Sequence, residues 1–160
     1  IVSPRQWRSE ALSLYYNLMP SSIRVKLVKK PDPAALKGII TIYRAHGWWK
    51  PSDKPALLKR IIKGSHYFAV AELGGRVIGI GRAISDGVSD AYIQDMAVLE
   101  SERGSGAGGA ILKALLKSLR KDGIKWVGLI AQDNSGYFYR KAGFKVLKKA
   151  HPMISKESYV

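Results

Sequence analysis

"ESERGSGAGGAILKALLKSLRKDG" occupies residues 100–123. Glycines stand at 104, 106, 108 and 109, and the apolar residues Ile111, Leu112, Leu115, Leu116 and Leu119 follow at the 3.6-residue period of a helix. Gly123 supplies a stop. A helix N-terminus offers unpaired N–H groups and a partial positive charge. Glycines let that backbone approach an anion with no side chain in the way. The loop formed by Arg103, Gly104, Ser105, Gly106, Ala107, Gly108 and Gly109 is therefore predicted to hold phosphate. The helix behind it carries Lys113, Lys117, Arg120 and Lys121, and no acid lies between Arg103 and Lys121. That favours a multiply phosphorylated ligand.

Two familiar phosphate loops fit poorly. Gly104-x-Gly106-x-x-Gly109 matches the dinucleotide fingerprint in form, yet five largely polar residues, 99–103, separate it from the preceding strand. In that fingerprint the strand runs straight into the first glycine. A nucleotide-triphosphate loop ends in Gly-Lys-Ser/Thr, and here the end is Gly-Gly-Ala. A plain flexible turn is the remaining alternative, and alternating glycines preceded by an arginine argue against it.

Outward from the loop, residues 91–99 read as a buried strand and residues 125–131 as another. Residues 67–73 and 76–84 are strands joined by Gly74-Gly75, a two-residue hairpin signal. Residues 33–46 and 54–63 are helices, and residues 23–29 alternate like a strand with one wet face. Residues 136–141 form a short helical turn, and residues 144–147 are a last strand. Trp7, Ala11, Leu14, Tyr15 and Leu18 share a helical face ahead of Pro20, an N-terminal helical extension over residues 1–20. Helices and strands interleave around a central hairpin. The expected fold class is α/β of the α+β type, a mixed sheet with helices packed on it, in one domain over residues 1–160.

Composition narrows the function further. With no cysteine there is no disulfide and no thiol nucleophile, and His46, His66 and His151 are scattered, so no metal is expected. No apolar run approaches the roughly 18 residues a membrane span needs. No signal peptide is visible at the start, so the expected location is cytoplasmic; Ile1 in place of Met suggests processing or trimming. The 27 Lys and Arg against 12 Asp and Glu give a net charge of +15, a field that attracts polyanions, at least weakly.

"YIQDMAVLESERGSGAGGAILKALL" resembles motif A of the GCN5-related N-acetyltransferases (the GNAT family), R/Q-x-x-G-x-G/A after a strand, with Arg103, Gly106 and Gly108 in the motif positions. "FYRKAGF", residues 138–144, resembles the same family's motif B, about 35 residues on. The resemblance runs from about Ile23 to the C-terminus and implies a GNAT-like, mostly antiparallel sheet flanked by helices. It implies transfer of an acetyl group from acetyl-CoA to an amine by direct attack in a ternary complex.

The resemblance also assigns residues. The backbone of Arg103 to Gly108 would hold the coenzyme's pyrophosphate, with Gly109 allowing close approach. Met96, Ala97 and Val98 would pair with the pantetheine arm through their backbone and present an N–H to the thioester oxygen. Tyr139 would protonate the departing thiolate. Asp95 is the candidate base or water-relay residue, the alternative being a strand-end aspartate bonded to a loop. Asp86 is a candidate anchor for a cationic substrate. Relatives carry an asparagine seven residues before the motif B tyrosine; here Gln132 stands there and Asn134 lies five before, so either could meet the coenzyme.

The acceptor is expected to be a small arylalkylamine, a polyamine or a protein amine. Trp48 and Trp49 in "YRAHGWWKPSDKP" either wall an aromatic pocket or close the core, and His46 reads as a helix-end residue. "GRAISDGVSDAYIQDMAV" also resembles the strand-turn-strand of arylalkylamine acetyltransferases, which ranks an arylalkylamine or polyamine first. The competing function is a basic module for nucleic acid or protein on the same fold, without turnover. A homodimer through residues 151–160 is the further partner considered.

Overall fold

The computed structural model describes residues 22–157. The expected N-terminal helix over residues 1–20 lies outside them. Five strands form one sheet in the order β1 (Arg24–Leu27), β2 (Tyr67–Leu73), β3 (Arg76–Ser85), β4 (Asp90–Val98) and β5 (Trp126–Gly128). The first four are antiparallel to their neighbours and β5 runs parallel to β4. The crossover between β4 and β5 passes through α3 (Ala107–Lys121), as a parallel connection requires. This is the mixed, mostly antiparallel sheet expected from the sequence.

Alternation along β2 sorts the core into two layers. Phe68 and Val70 face α1 (Pro33–Ala45) and α2 (Pro55–Gly64), where Leu36, Ile39, Ile42, Leu58 and Ile62 bury against them. Ala69 and Ala71 face α3, whose Ile111, Leu112, Leu115 and Leu119 form the other layer. Each of these large side chains, fully buried, stabilises by about 1.5–3 kcal/mol. Helix α1 begins on Asp32, whose carboxylate accepts the Ala35 N–H at 2.8 Å, with Pro33 in the first turn.

α3 needs space at the sheet centre, and Gly81 provides it. A Cβ there would collide with the Met96 sulfur and lie 2.7 Å from Ile111 Cγ2. The opposing stretch of β4 is irregular. Ile80 pairs with Ala97 and Arg82 with Gln94, so one residue of β3 faces two of β4, Asp95 and Met96. Asp95 absorbs the extra length in the left-handed region, φ 50°, which aspartate tolerates better than most residues.

The end of the chain departs from the sequence expectation. β5 stops at Gly128 instead of residue 131, because its pairing with β4 ends at Tyr92↔Gly128. Residues 144–147 form no strand. After α4 (Gly136–Lys141) the chain turns at Gly143, φ 95°, and the Phe144 N–H bonds to Tyr139 O at 3.0 Å. Phe144 packs edge-on against Tyr139, while Val146 and Leu147 remain exposed. With β5 three residues long, no ladder extends far enough to recruit another strand.

Candidate coenzyme and acceptor sites

The predicted phosphate loop is a compact turn ending on a helix. After a 3₁₀ turn, Glu100–Glu102, the chain reverses at Gly104, φ 81°, and Gly106, φ 90°. Both conformations are strained for a residue with a Cβ, and a Cβ at either would meet open space. Gly106 caps α3, and the first bond back to the loop is Ala110 N–H to Gly106 O at 3.0 Å. Among the described residues, the N–H groups of Gly104, Gly106, Gly108 and Gly109 find no acceptor. These donors, at the positive end of a 15-residue helix, make an anion cradle. Arg103 is well exposed beside it, 3.9 Å from Glu100.

The bulge in β4 prepares a second row of donors. Leu99 N–H bonds to Ile78 O at 2.8 Å, toward β3. Alternation then turns the backbone groups of Val98 and Met96 the other way, toward β5. There the pairing has already ended, at Tyr92↔Gly128. An extended ligand arm can lie in this gap as a missing strand would, on Met96 and Val98, while Ala97 faces β3 opposite Ile80.

Tyr139 reaches the same region from α4. A Cβ on Gly108 would lie 3.5 Å from the Phe138 ring and 3.6 Å from Val98, ordinary van der Waals distances, which places α4 close to the start of α3 and the end of β4. Tyr139 packs between Phe138 and Phe144, and burial pushes its phenol above the ordinary value. Its hydroxyl bonds to no protein group among the described residues, which leaves the proton free to be given. Asn134 and Gln132 are solvent-exposed at a 3₁₀ turn, Asp133–Ser135, ahead of α4. A groove of about 600 Å³ runs outward between α3 and α4, floored by Leu112, Leu116 and Phe138 and rimmed by Lys113, Lys117 and Lys141.

The opposite face of the sheet carries a different constellation. Asp95 Oδ2 accepts from the Tyr43 hydroxyl at 2.7 Å and from Arg82 Nε at 2.6 Å. A second Arg82 nitrogen donates to Gln94 Oε1 at 2.7 Å. Burial, then the Asp95 charge, raise the Tyr43 phenol far above its ordinary range, so Tyr43 remains a donor at any working pH. Trp48 stands edge-on to Tyr43 at 5.7 Å and 5.0 Å from His46. Trp48 is 40% exposed, whereas Trp49 packs into the core. His46 Nδ1 lies 3.0 Å from Ile42 O at the end of α1, as expected for a helix-end residue.

Asp86 lies elsewhere. It caps the β3–β4 turn, accepting from the N–H groups of Ser89 and Val88 and from the Ser89 hydroxyl, which hold its carboxyl at about 2. Arg82 and Tyr43 are the residues sequence reasoning missed. The available signal was an arginine inside the apolar run "VIGIGRAI", where a charge needs a partner.

A cradle of helix-end donors beside a split in a mixed sheet suits an extended, phosphate-bearing ligand. The family model described as "Acetyltransferase (GNAT) domain" matches residues 41–152, and the chain belongs to that family. It is similar to serotonin N-acetyltransferase 2, chloroplastic, of Oryza sativa subsp. japonica, 37% identical over 70 residues, which are 44% of this chain and 35% of that protein. The chain spans between 28% and 54% of the length of the curated relatives it matches. Its fold matches a GNAT-family acetyltransferase of Streptococcus pneumoniae with a TM-score of 0.69 and 24% identity, covering 86% of this chain and all of that one. It also matches AAC(6')-Iy bound to the bisubstrate analog CoA-S-monomethyl-acetylneamine, TM-score 0.68, 15% identical, covering 85% and 99%. Acetyl-CoA is the family's donor, and the open glycine cradle fits its phosphates. No helix among the described residues is long and apolar enough to cross a membrane.

Proposed function

We propose that this protein is an acetyl-CoA-dependent N-acetyltransferase whose acceptor is a monoamine with an aromatic body. The observation that carries the reading is the pairing of two unsatisfied donor rows, the glycine loop and the free edge of β4, at the point where the sheet splits. The loop from Arg103 to Gly109 and the groove lysines take the phosphates. Met96 and Val98 take the pantetheine arm, and a fixed N–H faces the thioester oxygen, where negative charge develops.

Donor and acceptor approach from opposite faces of the sheet. Tyr139 belongs to the α3 layer, whereas Asp95 bonds to Tyr43 across the α1 layer. A neutral amine nitrogen attacks the thioester carbonyl, the C–N bond forms and the C–S bond breaks. Tyr139 gives its proton to the leaving sulfur. Asp95 has Oδ2 occupied, so its Oδ1 accepts the amine proton, directly or through water. The aromatic preference rests on Tyr43 and Trp48 beside a carboxylate that Arg82 already balances. The similarity to a serotonin N-acetyltransferase supports it.

The test is a thermal-shift comparison of acetyl-CoA, NAD and ATP at matched ionic strength, followed by thiol release with phenethylamine. Acetyl-CoA at a hundredfold excess over Kd adds about 2.7 kcal/mol, and a shift with acetyl-CoA alone is expected. Equal shifts with every polyanion, or no thiol release, would overturn the reading in favour of a basic binding module.

A further inference from the structure

We infer that Arg82 is a specificity-determining residue: by covering the Asp95 carboxylate it makes the acceptor site reject a second positive charge. The inference rests on the acetyltransferase reading and names what sets its substrate class. Among the described residues, Asp95 is the one carboxylate bonded within the acceptor cluster. Arg82 lies on it at 2.6 Å, and the two side chains are 17% and 23% exposed. A pair this sheltered is weakly screened by salt. Its charges cancel, and the rest of the cluster, Tyr43, Gln94 and Trp48, is neutral.

A diamine presents one neutral nitrogen to the thioester and carries one ammonium beyond it. That ammonium needs an uncompensated acid. Here it meets the Arg82 guanidinium instead, and like charges brought together out of water repel. A monoamine with an aryl body carries no second charge and places its ring against Trp48. Arg82 is anchored for this task. One guanidinium spans Asp95 and Gln94 on β4, and its register partner is Gln94 itself, so it cannot swing away without releasing both bonds.

The test is a ratio. kcat/KM is measured for 1,3-diaminopropane and for phenethylamine with the wild type, Arg82→Met and Arg82→Lys, at fixed ionic strength. The ratio is indifferent to the fraction of folded enzyme, so a merely structural role for Arg82 leaves it unmoved. Arg82→Met is expected to raise the diamine-to-monoamine ratio about tenfold, the scale of uncovering one partly buried charge. Arg82→Lys keeps the charge but loses the two-pronged hold on Asp95 and Gln94, and its ratio is expected to fall between those of the wild type and Arg82→Met. An unchanged ratio in an active Arg82→Met enzyme, or a wild type that prefers the diamine, overturns the inference and leaves the acetyltransferase reading standing. A wild type that releases no thiol with either amine brings down both.

Discussion

The loop ahead of α3 and the cluster around Arg82 serve opposite faces of the same strand, and they are made of different materials. The loop works through main-chain N–H groups, and its side chains are kept small so that the backbone stays accessible. The cluster works through side chains from three separate elements: Tyr43 of α1, Arg82 of β3, and Gln94 with Asp95 of β4. A backbone site is fixed once the turn forms and suits a ligand that never changes. A side-chain site can be altered one residue at a time with the fold untouched, which suits the partner that distinguishes one enzyme from the next.

The largest expected effect separates Tyr139, the proposed proton donor, from both. Tyr139→Phe should lower kcat by about 100-fold or more, with acetyl-CoA affinity within about twofold, because the ring packing survives. The pH dependence follows from the raised phenol. The protonated form, and the stability it contributes, are complete below the unfolded value near 10 and fade only as pH rises through the higher folded value. No alkaline loss of rate from Tyr139 is therefore expected between about pH 7 and 9. A rate–pH profile that falls there in the wild type but not in Tyr139→Phe would contradict the raised phenol.

Next in size is Gly106→Val. A β-branched residue at φ 90° is strained and puts bulk where the anion lies. Acetyl-CoA affinity by calorimetry should fall about 100-fold, or 2.7 kcal/mol. Unaltered affinity would place the phosphates elsewhere. The smallest effect belongs to the acceptor side. Trp48→Ala should raise KM for phenethylamine about fivefold and leave the affinity for acetyl-CoA unchanged. An effect on coenzyme binding of the same size would show that the two regions are not independent.

The same contrast explains what was legible in the sequence. The glycine spacing, the strand before it and "FYRKAGF" are contiguous, and their positions followed from local rules. The 3.6-residue period of Ile111, Leu112, Leu115 and Leu119 marked the face of α3 that is buried against the sheet. The Arg82–Asp95–Tyr43 tie joins residues 13 and 52 apart, and no local rule connects them. Asp95 was singled out, yet its partners depend on a bulge that only pairing with β3 creates. Residues 144–147 have a strand-like composition, but a strand needs an edge of sufficient length, and β5 does not offer one.

The three-rung junction between β4 and β5 has a consequence for assembly. Strands β2 to β4 form an antiparallel meander, and α3 packs directly on all three. The β2–β4 meander can form from near neighbours in sequence. β5 and α4 join it through one short parallel ladder and a few aromatic contacts, a pairing that waits on loop closure. Hydrogen exchange should find the amides of residues 126–141 opening at lower free energy than those of β2 and β3. Tyr139, the proposed proton donor, is thus carried by the portion of the chain expected to dock last and loosen first.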